Sequence, residues 1–286
     1  MIKYNDNTIV DGKYNSEFIN KMMYNGREVH KRFIADGEPT PPVPPTPPTP
    51  IGKYFTIVFL ENGNFRYLKD VNSGDLYYSL DEGATWSLIE RNITYSFNEG
   101  DRVAMKGNVV STLGHSCGGL YPTVSAKVNL EGNYMSLKYM DDFEDKTEFP
   151  SAEYRVSELS APLCWVVLNS LKIVDASKMI IPLQRIPEFG NVFRGLLGEQ
   201  KEMIASPILA TETLTTYVLG GCYNELFKGD SKLNKVICLA KNNLNNSTMA
   251  NWLKNAAATG VIYKDPQADW SNAPIPSGWT LEDYQG

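Results

Sequence analysis

Histidine is nearly missing from this chain, with His30 and His115 the only two among 286 residues. That excludes a multi-histidine metal centre and disfavours a histidine-based triad. Cysteine is sparse as well. Cys117, Cys164, Cys222 and Cys238 show no CxxC spacing and sit among apolar or small residues, which predicts buried thiols rather than a disulfide framework or a zinc site. Positive charge is in deficit: Lys and Arg number 27 against 33 Asp and Glu, for a net charge of -6. Such a surface has no surplus for phosphate contacts, so nucleic acid is not expected as a partner. No window approaches the ~20 apolar residues of a membrane span, and Met1 to Asn7 carry no basic segment leading into an apolar run. The expectation is a soluble chain without membrane insertion, made without export. Gly118-Gly119 and Gly220-Gly221 do not lead from strand to helix, which argues against phosphate-cradling loops. No cofactor, metal or catalytic residue is expected.

What is present is β-forming. The 16 tyrosines and 11 phenylalanines, against 21% charged residues, suit a β-rich, interface-forming protein. The clearest boundary is the proline-rich stretch 38–50. Proline fixes φ and removes donors, so this stretch predicts a polyproline II linker of about 3.1 Å per residue. Residues 1–37 are too short for a core of their own. Lys21-Met22-Met23-Tyr24 and Arg27 to Phe33 flank Asn25-Gly26, the dipeptide of a tight hairpin turn. A lone hairpin is barely stable, so this segment is expected to complete itself on another surface, as an anchor or within a homo-oligomer.

Residues 51–147 read as an antiparallel β-sandwich. Strands are expected at 54–59, 64–68, 76–79, 86–89, 94–97, 102–106, 125–128 and 134–139, separated by glycine-bearing turns. Ser79-x-Asp81-x-Gly83-x-Thr85-Trp86 matches the Asp-box. Its residues serve the hairpin: Asp81 accepts from turn backbone, Gly83 takes a φ that side chains disfavour, and Trp86 packs beneath. Asp141-Asp142, Glu144-Asp145 and Glu148 form the densest acidic cluster. It reads as a solvated linker between domains, with paired glycosidase carboxylates or a calcium site as the sharper alternatives.

Residues 148–286 read as repeats. Met203 to Leu214 precedes Cys222 to Gly229, and Leu233 to Ala240 restarts the pattern, each unit giving a short strand, a turn and a short helical stretch. Val192-Phe193-Arg194-Gly195 answers Leu226-Phe227-Lys228-Gly229 upstream, which predicts Phe193 and Phe227 stacked in a repeat core. On Cys222, Tyr223, Leu226, Phe227, Gly229 and Leu233, residues 171–279 resemble BspA-like leucine-rich repeats, with Asp230 in place of the motif's second cysteine. The fold class expected is thus mainly β with a small α/β part.

The layout of short start, Asn-Gly hairpin, proline spacer, Asp-box domain and degenerate repeats resembles virion proteins of phages infecting gut Bacteroidales, the crAss-like phages among them. The resemblance implies a non-enzymatic head or tail fibre-like appendage at the virion surface, assembled in the host cytoplasm and anchored to other virion proteins through residues 1–37. Host-surface glycan is the implied ligand. The rival readings are a bacterial surface adhesin and a glycan hydrolase. Sugar contact would fall to exposed rings, for which Tyr121, Tyr217 and Trp270 are the candidates because each lies in a turn or loop context.

Overall fold

The computed structural model describes residues 53–67, 74–108, 126–148, 172–184, 197, 200–216 and 222–286, and the backbone alone of 2–4, 7–9, 21–24, 27–31, 68, 119–121, 217 and 220–221. The chain divides into two compact units, Met1–Thr49 and Pro50–Gly286.

In the first unit β1 (Ile2–Tyr4) pairs antiparallel with β2 (Asn7–Ile9), and β3 (Lys21–Tyr24) with β4 (Arg27–Lys31). The second pair closes through Tyr24 opposite Arg27, on either side of Asn25-Gly26. The first pair has no turn dipeptide of that kind, and the sequence pattern missed it. The linker 38–50 lies outside the described residues.

The second unit opens with β5 (Phe55–Phe59), β6 (Gly63–Leu68), β7 (Leu76–Ser79), β8 (Ser87–Leu88), β9 (Thr94–Phe97), β10 (Arg102–Gly107), β11 (Gly119–Tyr121) and β12 (Lys127–Asn133). These segments alternate aromatic or β-branched residues with polar ones between turns, which suits a pleated surface covered on at least one face. Two sheets share them. Strands β6, β9 and β11 form a three-stranded antiparallel sheet in the order β11-β6-β9. The larger sheet runs β12-β5-β10-β7-β8, also antiparallel. Phe59 of β5 stacks on Phe97 of β9 at 5.0 Å, Phe97 on Phe65 of β6 at 4.8 Å, and Tyr78 of β7 meets Tyr95 of β9 at 5.3 Å. The apolar faces of the two sheets therefore meet through aromatic rings. The strand expected over 134–139 is absent. Tyr134 and Met135 turn the chain into a one-turn helix α1 (Ser136–Tyr139), whose Ser136 hydroxyl donates to the Met105 carbonyl and accepts from the Phe55 N–H.

Beyond β12 the pairing changes sense. Five more strands join the same sheet, all parallel: β13 (Lys172–Ile181), β14 (Ala205–Leu209), β17 (Lys235–Cys238), β18 (Gly260–Lys264) and β19 (Trp279–Asp283). One register column runs Asn129, Asp175, Ala205, Lys235, Val261 and Thr280. From β13 onward its members recur at intervals of roughly 20 to 30 residues, the range of a coiled repeat. Between β14 and β17 lie the two-residue strands β15 (Thr216–Tyr217) and β16 (Gly220–Gly221), which pair with each other. A second helical turn, α2 (Asn246–Met249), precedes β18.

The result is a mainly β architecture around one ten-stranded mixed sheet. The regions 51–147 and 148–286, expected as separate domains, are joined at β12 and β13 and share one apolar core from Phe55 to Trp279. Among the described residues no helix is long and apolar enough to cross a membrane.

Candidate functional site

The Asp-box turn connects β7 to β8. The Ser79 hydroxyl donates to Asp81 Oδ1 at 2.6 Å and accepts from the N–H groups of Asp81 at 3.2 Å and Gly83 at 2.8 Å. Thr85 donates its N–H to Asp81 Oδ1 at 2.8 Å and its hydroxyl to Oδ2 at 2.6 Å. Five bonds thus involve the side chains of Ser79 and Asp81. The donors from Ser79 and Thr85 hold the Asp81 carboxyl at about 2, below its ordinary 3.8. Gly83 sits at φ +97°, and a Cβ there would lie 3.0 Å from the Tyr54 ring. The side chains of Ser79, Asp81 and Thr85 thus serve the turn itself, while Glu82 pairs with Arg102 at 3.7 Å.

Beneath it lies a cluster that the sequence pattern did not reveal. The Trp86 ring meets Tyr54 edge-on at 4.8 Å, and Lys106 Nζ stands 4.4 Å from the Trp86 centroid. Lys106 is 9% exposed on β10, yet its ammonium reaches both Asp141 oxygens at 2.9 and 2.8 Å. Tyr54 donates its hydroxyl to Asp141 Oδ1 at 2.7 Å. These partners, Lys106 first, lower the Asp141 pKa, while desolvation and then the bond to Asp141 raise that of Tyr54 to about 12. The acidic stretch is therefore not a free linker. Asp141 is tied to β10, Phe143 is buried, Glu144 pairs with Lys53, and Asp142 and Asp145 pair with Lys146. Among the described residues no group of three or more His, Cys, Asp or Glu is placed to hold a metal ion.

The described residues of the expected repeat motif are packing residues. Cys222, Tyr223, Leu226, Phe227 and Leu233 are all buried, and Phe227 lies 6.3 Å from Trp252. Burial pushes the Cys222 thiol up to about 11 and that of Cys238 to about 12, so both stay protonated at neutral pH. The stretch expected as helical between Cys222 and Gly229 is instead a stacked turn. N–H groups of Tyr223, Glu225, Phe227 and Gly229 donate to the carbonyls of Thr248, Ala250, Trp252 and Lys254 at 2.8 to 2.9 Å. Gly229, at φ +88°, lets the last rung close. Asp230 is fully buried, and its Oδ1 accepts from the Gln200 N–H at 2.6 Å, while Gln200 Oε1 accepts from the Ile173 N–H at 3.2 Å. Three successive coils are strapped by this relay. Phe193 and Gly195, the upstream counterparts, lie outside the described residues.

Of the three rings expected to face a ligand, Trp270 is not exposed. It is 4% accessible and packs 6.0 Å from Trp252 in the core, where the β18–β19 loop is held against Trp252 by the bond from its Nε1 to the Pro274 carbonyl at 3.0 Å. The side chains of Tyr121 and Tyr217 lie outside the described residues; their backbones are in β11 and β15.

Thr216, next to Tyr217 in the chain, and Asp269 and Asn272, close to Trp270, do line one open cleft of about 870 Å³. Its walls carry Thr216, Asn242, Asn243, Asn246, Ser247 and Asn272. Lys241 and Asp269 also line it, with opposite charges. The run Lys-Asn-Asn-Leu-Asn-Asn-Ser-Thr, residues 241–248, was a legible signal, since four asparagines in six positions are costly inside a helix or strand and belong to turns. Comparison with family models, with curated proteins and with solved structures finds no match to this chain.

Proposed function

We propose that this protein is a non-enzymatic accessory component of a phage particle, a head or tail fibre-like appendage that displays its larger unit for contact with the host surface. The observation that carries this reading is the division of the chain at its proline-rich segment into a small unit, Met1–Thr49, and a large one, Pro50–Gly286. Two short strand pairs are barely stable alone, and incorporation into a larger assembly supplies a partner surface. In this reading residues 1–37 join the particle and the copies are arranged by its symmetry, so weak contacts add up to useful avidity.

The finer architecture belongs to the same proposal. The facing antiparallel sheets of 51–147 constitute the β-sandwich, and the parallel strands with their stacked turns constitute a short BspA-like leucine-rich-repeat solenoid. Burial of Cys222, Tyr223, Leu226, Phe227 and Leu233 at the places that the repeat motif assigns supports this, as does the recurrence of the register column at intervals of repeat length.

Mass spectrometry of purified particles tests the proposal. The expected result is the chain at a fixed copy number per virion, lost on deleting residues 1–37 while the remainder stays folded. Absence of the chain from washed particles would overturn it.

A further inference from the structure

We propose that the asparagine-lined cleft between residues 241–248 and 269–272 is a binding site for a neutral carbohydrate. The proposal gives a ligand class to the adhesive role above and rests on that reading for its biological setting alone.

Four observations converge on this ligand. The first is the chemistry of the wall. A sugar hydroxyl both donates and accepts, and so does each carboxamide and hydroxyl of Asn242, Asn243, Asn246, Ser247 and Asn272. The second is charge: Lys241 and Asp269 have opposite signs, Lys241 is shared with Glu212 at 3.9 Å and Asp265 at 3.6 Å, and Asp269 accepts from the Ser271 N–H at 2.9 Å. No surplus of either sign is left to select an ionic ligand. The third is the scarcity of apolar lining. Among the described residues Leu244 is the one aliphatic residue that lines the cleft, and it is itself buried, so the described walls offer little to a lipid or an apolar peptide.

The fourth observation is that the wall is built before any ligand arrives. Asn242 donates one amide hydrogen to the Thr213 hydroxyl at 3.1 Å, and Asn243 donates one to the Leu214 carbonyl at 2.8 Å. Each keeps an oxygen and a second N–H for another partner. Asn243 holds a φ of +63°, which asparagine tolerates better than most residues. The Thr248 hydroxyl ties back to the Asn243 carbonyl, and Asn245 Oδ1 accepts from the Ser247 N–H at 2.8 Å. Side chains already fixed by one bond lose little freedom on making a second. The volume of about 870 Å³ lies inside the roughly 300–1,000 Å³ range of ligand sites.

The test is a titration of the full chain, labelled with nitrogen-15, against maltose, cellobiose, lactose, mannobiose and diacetylchitobiose, with inorganic phosphate and acetate as separate arms. Saturable shifts of the asparagine side-chain amide signals with at least one sugar are expected. In the double variant Asn246→Ala/Asn272→Ala, changed at two exposed positions, affinity for that sugar should fall about tenfold, which is 1.4 kcal/mol, at unchanged melting temperature. Ser247→Trp, which fills the cleft from its exposed wall, should abolish the shifts. Three results would overturn the proposal: no saturable shift with any sugar, undiminished binding by both variants, or a response to phosphate or acetate stronger than to the sugars. The readings separate cleanly, since sugar binding by a chain absent from virions leaves the site standing and removes the appendage, and a virion component blind to sugars does the reverse.

Discussion

Lys106 shows at the scale of one residue how a charge is kept beneath a surface. Its ammonium lies over the Trp86 face at 4.4 Å and reaches Asp141 at 2.8 Å, so desolvation is offset by a cation–π contact and an ion pair. Asp141 is 58% exposed on its side chain, which screens the pair below the value of a fully buried one. Lys106→Met is expected to cost about 1–2 kcal/mol, and the cycle with Asp141→Asn, read by chemical denaturation, should show coupling between the two. Additive losses would mean that the ammonium is held by Trp86 alone. Asp81 makes the second prediction at this scale. Its folded pKa of about 2 lies below the ordinary 3.8, so the stability it contributes is complete above about pH 4 and disappears as pH falls through about 2. Asp81→Ala should lower the melting temperature at neutral pH, with the gap to the parent protein narrowing over that window. A gap independent of pH would separate the effect from the carboxylate.

The coils of the parallel half are held on two sides, as elements, by the sheet and by the stacked turns. Phe227 sits between them, fully buried against Trp252. Phe227→Ala should destabilise by about 3–5 kcal/mol, the range for deep aromatic truncation, measured by urea unfolding. A loss well under 1 kcal/mol would place the ring outside the core. Asp230 tests the relay across coils. Asp230→Leu leaves the buried Gln200 N–H without its acceptor and should cost about 1–3 kcal/mol, whereas Asp230→Asn retains an acceptor oxygen and should lose less. Equal losses for the two variants would assign the role of Asp230 to shape rather than to the bond it accepts.

Continuity of the sheet governs the molecule as a whole. Because β12 pairs antiparallel with β5 and parallel with β13, neither half of Pro50–Gly286 has a finished edge without the other. Calorimetry of that unit should therefore give one cooperative transition with tryptophan fluorescence melting at the same temperature, and a fragment ending at residue 148 should fail to fold as a soluble monomer. Two separated transitions would show that the shared strands carry little coupling.

Local chemistry was legible in the residues themselves. Period-two aromatic patterning located β5, β6, β7, β9 and β10 to within a residue or two, since each strand's alternation is set by its own side chains. The Ser79 to Trp86 turn could be read for the same reason: its bonds close within seven positions of the chain. The hairpin around Asn25-Gly26 and the buried apolar residues among Cys222 to Leu233 follow the same rule. Partners distant in the chain were not legible. The pairing of Lys106 with Asp141 crosses 35 positions, and that of Asp230 with Gln200 crosses 30; no local pattern encodes such meetings. Nor does any residue of β12 or β13 announce that the two will lie side by side and fuse the halves into one sheet. Trp270 carries the lesson furthest. In the sequence it is a ring in a polar loop, fit to face a ligand. The fold instead closes that loop onto Trp252 and leaves the asparagines beside it to line the cleft, because burial is settled by what the rest of the chain covers and not by a residue's own neighbours.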